Sequence, residues 1–374
     1  MAALDIRWVL DDASLAQGCQ AWRQRNFVAL DTEFMRVDTF YPIAALLQVG
    51  DGETVWLIDP LQIRDWSPFA ALLEDPAVVK VLHSCSEDLE VFRRLTGSCP
   101  QPLFDTQIAA GYLNIGFSMG YSRLVKELLG IELPKDETRS DWLQRPLSDM
   151  QVRYAAEDVQ HLCAVYRTLD ARLSDEKRAW LLEDGAELVA AQGESVDPQE
   201  AWREVKLAWR LNAQQLGVLR ALCAWREEQA RARNQPRNRI LRERSLWPLA
   251  RTQPRDAVSL ARIEDMHPRT VRQDGDTLLR MIAAAADLPP EQRPEPLPEP
   301  LPLEAAALLK KLRAVGQREA VRLDMVPELM LRKKTLEALL KTGYPDGPYA
   351  LPDSLRGWRR ALMGQALLDT LSRD

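Results

Sequence analysis

The stretch Phe27-Val28-Ala29-Leu30-Asp31-Thr32-Glu33 decides how this chain is read. Four apolar residues in a row suit a buried strand, and the polar step that ends them carries two carboxylates two residues apart. Side chains alternate across a strand, so Asp31 and Glu33 project from one face and can reach the same ion. Working outward, residues 44–49 and 55–58 read as two further strands, joined by the turn signal Gly50-Asp51-Gly52, and residues 78–82 as a fourth. Helical periodicity follows over 88–95, 106–112, 121–129 and 148–169, the last opening on the capping-box pattern Ser148-Asp149-Met150-Gln151. Residues 1–170 therefore predict an α/β domain.

Two more carboxylates join the first pair by context. Asp88 opens an amphipathic helix just after the fourth strand, and Asp158 lies four residues after Tyr154, on the same helix face. Clustered carboxylates repel one another and call for cations. An all-oxygen set, in a chain with only three histidines, suits Mg²⁺ or Mn²⁺ better than zinc. Two such ions about 3.5–4 Å apart can activate water and stabilise the leaving oxygen of a phosphodiester.

The length of 374 residues predicts two or three domains. No run approaches the roughly 18 apolar residues of a membrane span, and Met1-Ala2-Ala3-Leu4-Asp5 lacks the basic start of a signal peptide. The five cysteines are scattered and odd in number, without a CxxC, which predicts a reducing cytoplasm rather than a disulfide framework. A formal net charge of −6 conceals a split: −15 over residues 1–200, +5 over 201–300 and +4 over 301–374. Carboxylates are concentrated in one part, and the other parts suit an anionic partner.

Beyond about residue 205 strand signals fade and helical periodicity dominates. Seven prolines between residues 289 and 302 predict an extended linker. The segments on either side of it read as a diverged repeat. Leu241-Arg242-Glu243-Arg244-Ser245-Leu246 parallels Leu331-Arg332-Lys333-Lys334-Thr335-Leu336, with Pro236 and Pro327 ahead of them.

The blocks Phe27-Val28-Ala29-Leu30-Asp31-Thr32-Glu33-Phe34, Leu82-His83-Ser84-Cys85-Ser86-Glu87-Asp88-Leu89 and Tyr154-Ala155-Ala156-Glu157-Asp158-Val159 resemble, in order and spacing, the three exonuclease motifs of the DEDD superfamily. Tyr154 marks the DEDDy branch. Arg153 stands where the other branch has a histidine, and His161 falls after Asp158. Phe104-Asp105-Thr106-Gln107 and Ser140-Asp141-Trp142-Leu143-Gln144-Arg145-Pro146-Leu147 are similar to further blocks of the bacterial ribonuclease D family, and the two repeats resemble HRDC domains. The resemblance implies a multidomain chain. A ribonuclease H-like α/β exonuclease domain with a mixed sheet would span 1–205, followed by two small all-α HRDC-like domains at 206–288 and 303–374, with the linker at 289–302.

Carried over by position, the resemblance implies that Asp31, Glu33, Asp88 and Asp158 hold two divalent cations, Mg²⁺ or Mn²⁺. Asp31 would bridge both, and Tyr154 would orient the attacking water. The expected activity is 3′–5′ exoribonuclease action on tRNA precursors and other structured small RNAs, releasing nucleoside 5′-monophosphates. The chain is expected to be monomeric, without an obligate protein partner or a membrane. A DNA exonuclease of the repair kind and a non-catalytic RNA binder are the alternatives. Phe34, Met35, His83, Lys135 and Arg145 are candidate substrate contacts. The run Arg231, Arg233, Arg237, Arg239, continued by Arg242, is a candidate binder of RNA backbone phosphates.

Overall fold

The computed structural model describes residues 5–133, 140–193 and 197–372. The chain divides into two compact units. The first holds residues 1–35, 43–193 and 301–374, and the second holds 36–42 and 194–300.

The first unit is built on a six-stranded mixed sheet of order β1-β4-β3-β2-β5-β6. Its strands are β1 (Ile6–Val9), β2 (Phe27–Met35), β3 (Ile43–Gly50), β4 (Val55–Ile58), β5 (Val79–Leu82) and β6 (Leu103–Asp105). β3 runs antiparallel to both β2 and β4, while β5 lies parallel to β2 and to β6, and β1 parallel to β4. The central strand β2 does not stop at Leu30, as the apolar run suggested. It continues through the acidic residues to Met35, because β3 supplies a partner along its length, Asp31 opposite Gln48 and Glu33 opposite Leu46. The register shifts between Glu33 and Phe34, an irregularity that re-aims side chains at a strand end.

Among the described residues of this half of the chain, seven helices lie between and after the strands: α1 (Asp12–Trp22), α2 (Ser67–Leu73), α3 (Ser86–Thr96), α4 (Thr106–Tyr112), α5 (Tyr121–Leu129), α6 (Asp149–Asp170) and α7 (Asp175–Gly193). The capping box that opens α6 is present, with Ser148 and Gln151 bonding reciprocally. Alternation along β2 divides the core into two layers. Ala29 packs with Val159, Leu162 and Val165 of α6, whereas Val28 and Leu30 pack with Leu89 and Phe92 of α3.

The second unit is helical: α8 (Ala213–Ala232), α9 (Arg237–Ile240), α10 (Glu243–Thr252), α11 (Ala257–Ala261) and α12 (Pro268–Ala286). Leu216, Leu219, Leu246, Leu249 and Leu278 form its core, and Phe40 from the segment after β2 belongs to it. Residues 289–302 contain one short 3₁₀ turn, Pro290–Gln292, and no helix or strand besides. The last helices, α13 (Ala306–Leu323), α14 (Lys333–Lys341) and α15 (Gly357–Ser372), share a core with α4, α6 and α7 of the first unit. Among the described residues no helix is long and apolar enough to cross a membrane. All five cysteines are buried free thiols.

Candidate active site

Three separate segments bring the four carboxylates together. β2 carries Asp31 and Glu33, the first turn of α3 carries Asp88, and α6 carries Asp158 with Tyr154 one turn before it. The pairing follows from the two faces of β2. Asp31 and Glu33 share the face of Ala29, which α6 covers, while Thr32 points to the opposite face, where its hydroxyl donates to Asp88 Oδ1 at 2.5 Å.

Each carboxyl is held well above its ordinary range, and burial is the first cause in every case. Asp31 is pushed up to about 8 by burial and by the charge of Asp158. Glu33 is pushed up to about 10 by burial and by Asp31, Asp158 and Asp88. Asp88 rises to about 8 through burial and Asp31, against the pull of the Thr32 hydroxyl. Asp158 rises to about 7 through burial, with the Tyr154 hydroxyl lowering it. Among the described residues no lysine or arginine enters these influences; the charges acting on the four are their own and those of Glu157 and Glu87.

Tyr154 is hydrogen-bonded to Asp158, and burial followed by the surrounding carboxylates keeps its phenol protonated far above neutrality. Trp142 packs beside its ring, with centroids 6.0 Å apart. A second phenol, Tyr121, donates to the backbone oxygen of Asp158 at 2.5 Å. The sequence reading did not single out Tyr121 or Thr32. Only the spacing of Thr32 between the two acids hinted at the latter.

Among the described residues, no three His, Cys, Asp or Glu side chains are grouped so as to enclose a metal as they stand. Their chemistry nonetheless fits a hard divalent cation. The donors are all oxygen, their charges are mutually repulsive, and among the described residues no lysine or arginine acts on them.

The other sequence candidates are placed as follows. Phe34 and Met35 end β2, both half-buried. His83 accepts or donates at 2.9 Å with Thr106 Oγ1 and at 3.1 Å with the Met119 carbonyl, so both ring nitrogens are engaged. Arg145 donates two bonds to the buried Asp59 carboxylate, at 2.8 and 2.7 Å, and others to the carbonyls of Ala45, Trp142 and Gln144. Lys135 lies outside the described residues.

In the second unit, Arg231 and Arg237 both bond the buried Glu227, and Arg233 grips Asp274 in a two-point fork at 2.9 and 2.7 Å. Arg239 pairs with Asp38, and Arg242 lies 3.6 Å from Asp265, both arginines being exposed. The sequence showed the cationic run but not the acids that answer it: Glu227 stands one helical turn before Arg231, whereas Asp274, Asp38 and Asp265 come from elsewhere along the chain.

A family profile described as a 3′–5′ exonuclease matches residues 6–174, and one described as the HRDC domain matches residues 215–282. The chain is 72% identical to ribonuclease D of Pseudomonas paraeruginosa over 371 residues, which cover 99% of each protein. It is 36% identical to ribonuclease D of Escherichia coli over 373 residues, 98% of this chain and 99% of that one. The crystal structure of Escherichia coli RNase D matches with a TM-score of 0.90 over 99% of both chains. The catalytic core of RRP6 from Trypanosoma brucei shares the fold at a TM-score of 0.59 and 21% identity, over 76% of this chain and 80% of that one. A mixed-sheet exonuclease unit bearing four clustered carboxylates and a tyrosine, in a chain that also carries an HRDC domain and is 72% identical to a ribonuclease D, therefore places this chain in the ribonuclease D family.

Proposed function

We infer that the chain is a 3′–5′ exoribonuclease, which hydrolyses the terminal phosphodiester of RNA and releases nucleoside 5′-monophosphates. The observation that carries this reading is the convergence of Asp31, Glu33, Asp88, Asp158 and Tyr154 from three segments into one acidic site, on which no lysine or arginine of the described residues acts. The Escherichia coli relative is described as an exoribonuclease involved in structured RNA processing. Structured RNAs, tRNA precursors among them, are the proposed substrates here.

In the proposed mechanism the four carboxylates hold two divalent cations, Mg²⁺ or Mn²⁺. When bound, the cations neutralise the site and supply Lewis acidity toward water and the phosphate. Thr32 fixes the rotamer of Asp88, and Tyr121 tethers the backbone at Asp158, so the donors are oriented by the fold. The protonated Tyr154 hydroxyl orients the attacking water near Asp158. Phe34 and Met35 are the proposed contacts to the 3′-terminal nucleotide. His83, Arg145 and Lys135 are further proposed contacts, the first two by exchanging partners they hold in the fold.

Among the arginines, Arg239 and Arg242 are proposed to meet RNA phosphates directly, since exposed pairs cost little to exchange. Arg231, Arg233 and Arg237 are proposed to shape that surface from within their ion pairs.

We further propose that residues 303–374 are a diverged second HRDC-like module. Two local features recur at an offset of 90 residues. Asn234, just beyond the cap of α8, and Asp324, the cap of α13, are both left-handed, at φ 46° and 48°. Ser245 and Thr335 each donate a backbone bond to the arginine three residues before, at 3.1 Å in both helices. The chain is further proposed to act as a monomer in a reducing cytoplasm, in keeping with its five free, buried thiols.

The test is incubation with a 3′-extended tRNA and a matched DNA strand, in Mg²⁺ or Mn²⁺ and then in chelator. Stepwise shortening of the RNA, lost with chelator and lost in Asp31→Asn, is the expected result. Equal cutting of DNA would favour the repair-type alternative, and activity persisting in chelator would exclude the two-cation site.

A further inference from the structure

The second unit contains a pocket of about 370 Å³ that the exonuclease chemistry does not use. It is lined by Arg36, Val37, Thr39 and Phe40 from the segment after β2, by Arg226 of α8, and by Pro236, Arg237, Asn238 and Glu243 around α9 and α10. Three arginines and one acid, the exposed Glu243, are thus among the residues that line it.

Two of the three guanidiniums have partners. Arg237 donates to Glu227 and lies over the Phe40 ring at 4.7 Å, and Arg36 donates to the Phe40 carbonyl at 2.8 Å. Arg226 differs. Only 9% of it is exposed, and among the described residues no hydrogen bond or ion pair engages its guanidinium. Burial works against its charge, and so does Arg237, while Cys223, Glu243 and Glu227 favour it. An arginine cannot shed its proton to relieve this cost. A buried, unpaired guanidinium is expensive unless something answers it, and its opening onto a pocket says where that something would sit.

We propose that Arg226, with Arg36 and Arg237, forms a phosphate-binding pocket that seats one backbone phosphate of an RNA strand. The planar fork of an arginine matches phosphate oxygens in two-point contact, and the pocket is large enough to admit a phosphate with parts of its flanking riboses. The proposal rests on the reading of this unit as an RNA-backbone binder and goes further by naming the site. A free phosphate ion offers the same chemistry; the strand is favoured because the arginine-rich run continues from the pocket to the exposed Arg239 and Arg242.

The test uses the full chain in chelator, so that no cleavage occurs, and a 5′-fluorescein single-stranded RNA of ten nucleotides. Affinity is measured by anisotropy from 50 to 300 mM salt for wild type, Arg226→Met and the double variant Arg242→Ala/Arg244→Ala. Losing one phosphate contact lowers the salt slope by about one and weakens binding roughly uniformly across sequences. Arg226→Met with a retained helical spectrum is expected to bind about 5- to 10-fold more weakly at low salt, with that loss of slope. Should Arg226→Met fail to fold, Arg36→Gln, at the exposed rim, is expected to show a smaller loss in the same direction, and an unchanged slope there overturns the proposal.

An unchanged slope in folded Arg226→Met likewise overturns it. The double variant then decides the wider reading: a slope lowered there alone leaves the unit as an RNA binder with this pocket excluded, and no change in either removes both. Stabilisation of wild type by 20 mM inorganic phosphate that Arg226→Met loses, with RNA binding intact, would assign the pocket to the free ion and overturn the strand as occupant.

Discussion

Asp31, Thr32 and Glu33 are adjacent in sequence yet serve opposite faces of β2, and that division organises the site. The acids look toward α6, and the hydroxyl between them reaches around to hold Asp88. The titration of these carboxyls is linked to stability with a definite sign. Folded values of about 7 for Asp158, about 8 for Asp31 and Asp88 and about 10 for Glu33 all exceed the ordinary values of 3.8 for aspartate and 4.5 for glutamate. The folded chain therefore binds more protons than the unfolded chain across that window, and its stability falls as pH rises through it. In chelator, raising pH from 5 to 9 is expected to lower the melting temperature by more than the 2–4 °C that about 1 kcal/mol gives in a domain of this size. Glu33→Gln should flatten that fall, and Mg²⁺ should reverse it in wild type. Equal pH slopes in wild type and Glu33→Gln would show that the carboxyl cluster is not their source. Asp31 and Glu33 were legible as a pair because a strand has a period of two; Thr32 and Tyr121 were not, because their bonds run to residues 56 and 37 positions away.

At the scale of elements, the position of α6 decides whether Tyr154 and Asp158 meet β2. The helix lies directly on the end of β3. A Cβ added at Gly50 would come within 2.9 Å of Cys163 Sγ and 3.0 Å of the Val159 carbonyl, the latter backbone that cannot swing away. Gly50→Ala is expected to push α6 from the sheet, costing about 1–3 kcal/mol by overpacking and lowering kcat through the displaced Asp158. Denaturant midpoints and single-turnover rates measured together check this, and an unchanged rate at lowered stability would show that the shift does not reach the site.

The helices α4, α5 and α6 were visible in periodicity and capping to within a residue or two. The strands β1 and β6 were missed. They lie at the sheet edges and pair on one side only, and neither Ile6-Arg7-Trp8-Val9 nor Leu103-Phe104-Asp105 offers the apolar run of a strand covered on both faces. β2 ran past its predicted end because a partner strand, not local apolarity, sets how far pairing extends.

At the scale of the whole molecule, the C-terminal helices belong to the same compact unit as the sheet. Their anchor is ionic at its centre. Asp184 of α7 accepts from Arg359 of α15 at 2.5 and 2.8 Å, from Tyr112 Oη at 2.8 Å and from Trp358 Nε1 at 3.2 Å. Asn114 and Lys177 add bonds to Asp324, and Val326 donates to the Gly111 carbonyl at 3.0 Å. Removing one partner of a buried pair leaves the other charge unanswered. Asp184→Ala is expected to cost about 3–5 kcal/mol and to raise hydrogen exchange across α13 and α15 before the sheet. Uniform exchange throughout the unit would show that these helices do not open separately. The charge contrast between segments was plain in the sequence, but it did not reveal that Arg231, Arg233 and Arg237 are answered by Glu227 and Asp274.

The sequence by itself determined the α/β class of the first half, the helical character of the rest, and the residues proposed to carry the chemistry. Those are properties of local period, turn residues and short motifs, which a chain displays without folding. The tertiary structure alone decided which cations are spent on internal acids, which guanidinium is left facing a pocket, and that the last helices share the core of the first unit. Each of these depends on groups far apart in the chain coming within a few ångströms, and burial then sets the strength of their interaction.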